Sequence, residues 1–85
     1  MPTTVERVIS VVRQYLCLVE GHMVNIGAET TLQGDLGMDS LDVVECAMHM
    51  ETEFNINMED EDRQSPRTVG DYVTLVRKYL HESES

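Results

Sequence analysis

The chain has 85 residues, with 16 Asp and Glu against 6 Lys and Arg, for a net charge of −10. At 41% hydrophobic and 26% charged it falls in the globular range, and its length gives one domain with a modest core. The charge repels nucleic-acid phosphates and anionic lipid, so it disfavours both and favours proteins with basic patches. Self-association is opposed by the same repulsion, which predicts a monomer.

Thr3-x-x-Glu6 has the spacing of a capping box and predicts the first helix. Val5, Val8, Ile9, Val12, Tyr15, Leu16 and Val19 then form its apolar stripe, and the helix should fray near Gly21. Residues 21–38 hold Gly21, Gly27, Gly34 and Gly37 without sustained period, and predict a long ordered loop of the kind that carries function. A second helix is expected from Asp39 or Ser40 to Phe54, and Glu59-Asp60-Glu61-Asp62 opens at most a short third one, ended by Pro66. Thr68-x-x-Asp71 caps the last, with Val69, Tyr72, Val73, Val76, Tyr79 and Leu80 inward and Arg77 and Lys78 near its end. No strand-like alternation occurs. The expected fold is an all-α four-helix bundle, three helices longer and one short, ordered over residues 3–81 with a flexible tail at 82–85.

Cys17 and Cys46 are isolated thiols that suit a reducing compartment. Met1 is followed by no basic-then-apolar leader, and no apolar run reaches membrane-spanning length. The expectation is a cytoplasmic protein, or an organellar one whose transit peptide has been removed.

The second helix divides in two. At about 100° per residue from Ser40, Val43, Cys46, Ala47, Met50 and Phe54 fall on one arc, the expected core. Leu41, Val44 and Met48 fall on another, with Glu51 between the two sets. That second arc reads as an exposed apolar strip beside Ser40, bordered by Glu45, Glu51 and Thr52, with Asp42 and His49 further round. An apolar strip rimmed with acids suits a partner with a basic rim. His49 on its flank would make such docking pH-dependent.

Gly34-Asp35-Leu36-Gly37-Met38-Asp39-Ser40-Leu41-Asp42 sets Ser40 where that helix begins. A helix start has unpaired N–H groups and the positive end of the dipole, which suit a phosphate. Ser40 as the helix cap would have its oxygen occupied. Asp39 can cap equally well, with Asp42 three residues on, and would free the hydroxyl.

Other chemistry fits less well. Gly37-Met38-Asp39-Ser40-Leu41 is not a GxSxG elbow, so a serine hydrolase is not indicated. Cys46-x-x-His49 lacks a second ligand pair for zinc, and Glu59-Asp60-Glu61-Asp62 lacks EF-hand spacing, so no metal site is expected.

Asp35-Leu36-Gly37-x-Asp39-Ser40-Leu41-Asp42 resembles the attachment motif of acyl carrier proteins. Val44-Glu45, Met48 and Glu51-x-Glu53-Phe54 continue that family's second helix, and Thr68-Val69-Gly70-Asp71-Tyr72-Val73 looks like the start of its fourth. The similarity covers about residues 30–80, with a looser match at Glu6-Arg7-Val8. It implies that Ser40 carries 4′-phosphopantetheine, transferred from coenzyme A by a phosphopantetheinyl transferase, and that the arm's thiol holds acyl groups as thioesters. Asp39, Leu41, Asp42, Val44, Glu45, Met48 and Glu51 then stand where partner enzymes dock, with His49 beside them. Those partners would be acyl transferases and condensing or reducing enzymes with basic docking patches. A growing acyl chain would tuck among Cys46, Ala47, Met50, Phe54, Met58, Val69, Tyr72 and Val73.

Departures from the family pattern include a longer first loop, Gly34 for an acid, Met38 for a small residue, and Glu59 for proline. They leave open whether the pathway is housekeeping fatty-acid synthesis or specialised lipid or polyketide assembly. The expected function is a non-catalytic carrier. The alternative is an acidic helical adaptor that binds basic partners without shuttling acyl groups.

Overall fold

The structure, a computed structural model, describes residues 3–19 and 26–80, with side chains except at 17–19. The expected fraying at Gly21, loop residues 21–25 with His22, His81, the tail at 82–85 and the side chains of Cys17 and Val19 lie outside the described residues. Four helices are found there: α1 Thr4–Val19, α2 Ser40–Phe54, α3 Asp60–Gln64 and α4 Val69–Leu80.

The α1 capping box is made as expected, Glu6 donating its N–H to Thr3 Oγ1 at 3.1 Å and Thr3 donating to Glu6 Oε1 at 2.9 Å. Val8, Val11, Val12, Tyr15 and Leu16 are buried where α1 crosses α4 and α2. Val11 widens the predicted stripe, while Val5 and Ile9 sit half-buried at its edge. Thr68 and Asp71 cap α4 by the same exchange of bonds, at 3.1 and 3.2 Å. Its buried face is Val69, Tyr72, Val73, Leu75 and Val76. Buried Tyr72 donates its hydroxyl to the Val43 carbonyl at 2.8 Å, which satisfies the phenol and joins α4 to α2.

The loop before α2 is folded onto α4 by backbone bonds. Leu32 donates to the Arg67 carbonyl at 2.9 Å, Val69 to Thr30 at 3.0 Å and Gly70 to Ala28 at 2.8 Å. An isolated antiparallel bridge pairs Thr31 with Thr68. Gly70 suits this approach, since a Cβ there would stand 3.0 Å from the Ala28 carbonyl oxygen and the loop would have to give way. Leu32, Leu36 and Met38 turn inward and are buried. Gly37, at φ +68°, supplies the left-handed step between the last two. The chain thus reaches residue 39 already anchored to the core on both sides of that turn.

Helix α2 ends at Asn55, whose φ of 56° turns the chain out of the helix and whose N–H bonds to the Glu51 carbonyl. Helix α3 buries no side chain. Polar contacts hold it instead. Glu51 Oε2 accepts from Arg63 at 3.0 and 3.2 Å, and Asp62 accepts from the Tyr79 hydroxyl and from Lys78.

Leu32 is fully buried although it belongs to the loop, so Leu32→Ala should cost about 2–5 kcal/mol of stability, as for a core leucine. Urea denaturation would measure it. A loss under about 0.5 kcal/mol, the size expected of a surface position, would contradict the anchoring role.

Candidate functional site

Asp39 has extended backbone, φ −94° and ψ −176°, and is the N-cap of α2. Its Oδ1 accepts the Asp42 N–H at 2.8 Å, while Asp42 Oδ2 accepts the Asp39 N–H at 3.1 Å. The Val43 N–H bonds to the Asp39 carbonyl at 3.0 Å. This reciprocal cap takes the place that Ser40 would otherwise fill. Ser40 is exposed at the first helical residue, and its hydroxyl makes no hydrogen bond among the described residues. The Ser40 and Leu41 N–H groups are open as well. A free hydroxyl at the positive end of a helix fits esterification to a phosphate.

The arc beside Ser40 is apolar and outward. Leu41 is 64% exposed and Met48 52%, the two large hydrophobics most open to solvent among the described residues, with Val44 half-buried between them. Glu45, Met48, His49 and Thr52 line a shallow groove on this side. The opposite arc, Val43, Cys46, Ala47, Met50 and Phe54, is buried. Met58, Val69, Tyr72 and Val73 close the same core from the α2–α3 link and α4.

Glu51 departs from the expected rim. Its carboxylate turns to α3, where Oε2 accepts the Met58 N–H at 2.6 Å as well as Arg63, and its side chain is only 13% exposed. Its place between the two arcs put it at the α2–α3 seam, and Arg63 gave it a partner there. Asp42 and Glu45 are also held from behind. The Tyr15 hydroxyl lies 2.8 Å from Asp42 Oδ1 and 2.9 Å from Glu45 Oε1. Both tethering residues escaped the sequence reading. The signal for Tyr15 was available, since a tyrosine on a core stripe must find a polar partner for its hydroxyl. Arg63 had none.

A family model described as the phosphopantetheine attachment site matches residues 6–76. The chain belongs to the phosphopantetheine-attachment family. It is 42% identical over 82 residues to a protein named acyl carrier protein 3, chloroplastic, from Hordeum vulgare. The match takes in 96% of this chain and about 60% of that longer relative. The fold is similar to the crystal structure of an acyl carrier protein from Thermotoga maritima, with a TM-score of 0.79, 29% identity and 95% of each chain covered. The attachment domain is therefore a homologue of acyl carrier proteins in both sequence and fold.

Within this attachment domain, Cys46 and His49 do not converge, since Cys46 is sealed in the core and His49 is exposed. Burial pushes the Cys46 thiol up to about 12, so at neutral pH it stays protonated and unreactive. Among the described residues no three His, Cys, Asp or Glu side chains gather as metal ligands, and no helix is long and apolar enough to cross a membrane.

The Asp39 N–H, followed by the Tyr15 hydroxyl, holds the Asp42 carboxyl below the usual range, and the Tyr79 hydroxyl, with Lys78, does so for Asp62. Both groups bind protons more weakly folded than unfolded. Their stabilisation is therefore complete above the ordinary Asp value of about 3.9 and lost as pH falls through the folded values. The urea midpoint should drop below about pH 4, and Asp42→Asn should show a shallower acid limb. An acid limb identical to wild type would remove Asp42 from that account.

Proposed function

We propose that Ser40 carries the 4′-phosphopantetheine arm and that this chain delivers acyl groups to the enzymes of fatty-acid or related lipid or polyketide synthesis. The observation that carries the proposal is the Ser40 hydroxyl, exposed and unbonded because Asp39 and Asp42 cap the helix in its place. When attached, the arm supplies a terminal thiol on which acyl groups are held as thioesters.

The chain's own residues do the rest. Asp39 fixes where α2 starts and so where the arm is rooted. Leu41, Val44 and Met48 offer the apolar part of a docking face, with Asp39, Asp42, Glu45 and His49 around it. Partners are a phosphopantetheinyl transferase, then acyl transferases and condensing or reducing enzymes with basic patches. The net charge of −10 would speed their encounter and make it salt-sensitive. Glu51 contributes to this face indirectly, by fixing α3 at its end. The carrier needs no base or oxyanion hole of its own, because a tethered substrate reaches each docked enzyme at high effective concentration. Acyl chains would enter by parting the side chains around Cys46, Met50, Phe54 and Met58, all now buried. The reducing compartment that its thiols suit is the cytoplasm or an organelle, as for the chloroplastic barley relative.

Intact mass after incubation with coenzyme A, Mg²⁺ and a broad-specificity phosphopantetheinyl transferase tests the assignment. Wild type should gain one phosphopantetheine and Ser40→Ala none. A folded wild-type sample that gains nothing would leave the adaptor reading.

A further inference from the structure

The two acids nearest Ser40 on the outward side of α2 do not stand alone. Tyr15 reaches them from α1, its side chain 5% exposed and its ring held edge-on by His49 at 5.6 Å between centroids. Its hydroxyl oxygen lies 2.8 Å from Asp42 Oδ1 and 2.9 Å from Glu45 Oε1. A phenol has one proton and two carboxylates face it. Only one can accept at a time, and the other oxygen is drawn close without a proton of its own. A phenol is protonated at neutral pH in any case, and burial first, then these two contacts, push Tyr15 further up, so its proton stays between the acids.

Asp42 is used on both sides, since its second oxygen caps Asp39. Glu45 keeps its second oxygen without a bond among the described residues, and its side chain is exposed. Two carboxylates one turn apart are thus drawn to a single point where they share one protein hydrogen-bond donor, the Tyr15 hydroxyl. A guanidinium or ammonium group brings several donors and the opposite charge to such a pair.

We propose that Tyr15 is a positioning residue for partner recruitment: its phenol gathers Asp42 and Glu45 into one cradle that takes a cationic side chain of the enzyme loading Ser40. This rests on the attachment function proposed above. Tyr15 touches neither the reacting hydroxyl nor the arm, so its effect should fall on binding and not on the chemical step.

Tyr15→Phe keeps the ring and removes the hydroxyl, and thermal unfolding would establish that it is folded. With a phosphopantetheinyl transferase, the variant should raise KM about two- to tenfold and leave kcat unchanged. In the background of Glu45→Gln the same change should have much less effect, because the two act through one contact. If wild type is loaded but Tyr15→Phe keeps the wild-type KM, the Tyr15 role alone is overturned. So would full additivity with Glu45→Gln.

A readout independent of loading is the carboxyl ¹³C shift of Asp42 and Glu45 during titration with arginine amide. In wild type the two should move together, and in Tyr15→Phe the Glu45 response should weaken. Equal responses in the two proteins overturn the proposal even if Ser40 is never modified. Failure of loading with the linked response intact would sink the attachment function and keep the cradle.

Discussion

The first turn of a helix leaves N–H groups without partners inside the helix, and at the start of α2 the one on Asp42 is taken by an aspartate one residue before the serine. Asp39 and Asp42 exchange hydrogen bonds, so the helix is capped without using Ser40. Had Ser40 been the cap, its oxygen would have been turned back onto the backbone. The one-residue offset leaves the cap to Asp39 and the Ser40 hydroxyl facing solvent on a rigid element, as the proposed attachment requires.

That offset is useful only if residue 39 is held in place, and the loop does this. Bonds to the start of α4 tie residues 28–32 down, and Leu32, Leu36 and Met38 anchor the approach in the core. The placement of Ser40 therefore depends on α4 as much as on α2. Its acidic surroundings are organised in the same way from α1, through Tyr15, and at the far end from α3, through Arg63. Every helix contributes to the surface around one side chain.

Much of this was legible because local rules decided it. Both terminal capping boxes are spacing patterns, and each is formed. The inward arc of α2, from Val43 to Phe54, follows from rotation per residue, and all five predicted members are buried. The outward exposure of Leu41 and Met48 came from the same geometry, since one helix in so small a bundle cannot bury both arcs. The loop was legible only as a loop. Nothing periodic marked Leu32, Leu36 or Met38 as core, because an irregular backbone points its side chains by its tertiary contacts.

The sequence by itself determined the helices, their caps, the family motif and the residue at its centre. These are set by neighbours within about four positions along the chain, the range over which helix caps and faces are fixed. Only the tertiary structure decided which acids belong to the outward face. Glu51, Asp42 and Glu45 lie on one helix, yet Arg63 claims the first and Tyr15 draws the other two together, from 12, 27 and 30 residues away in sequence. A carboxylate can turn toward whichever donor is nearest in space, and that donor is supplied by the packing of helices, not by the periodicity of any one of them.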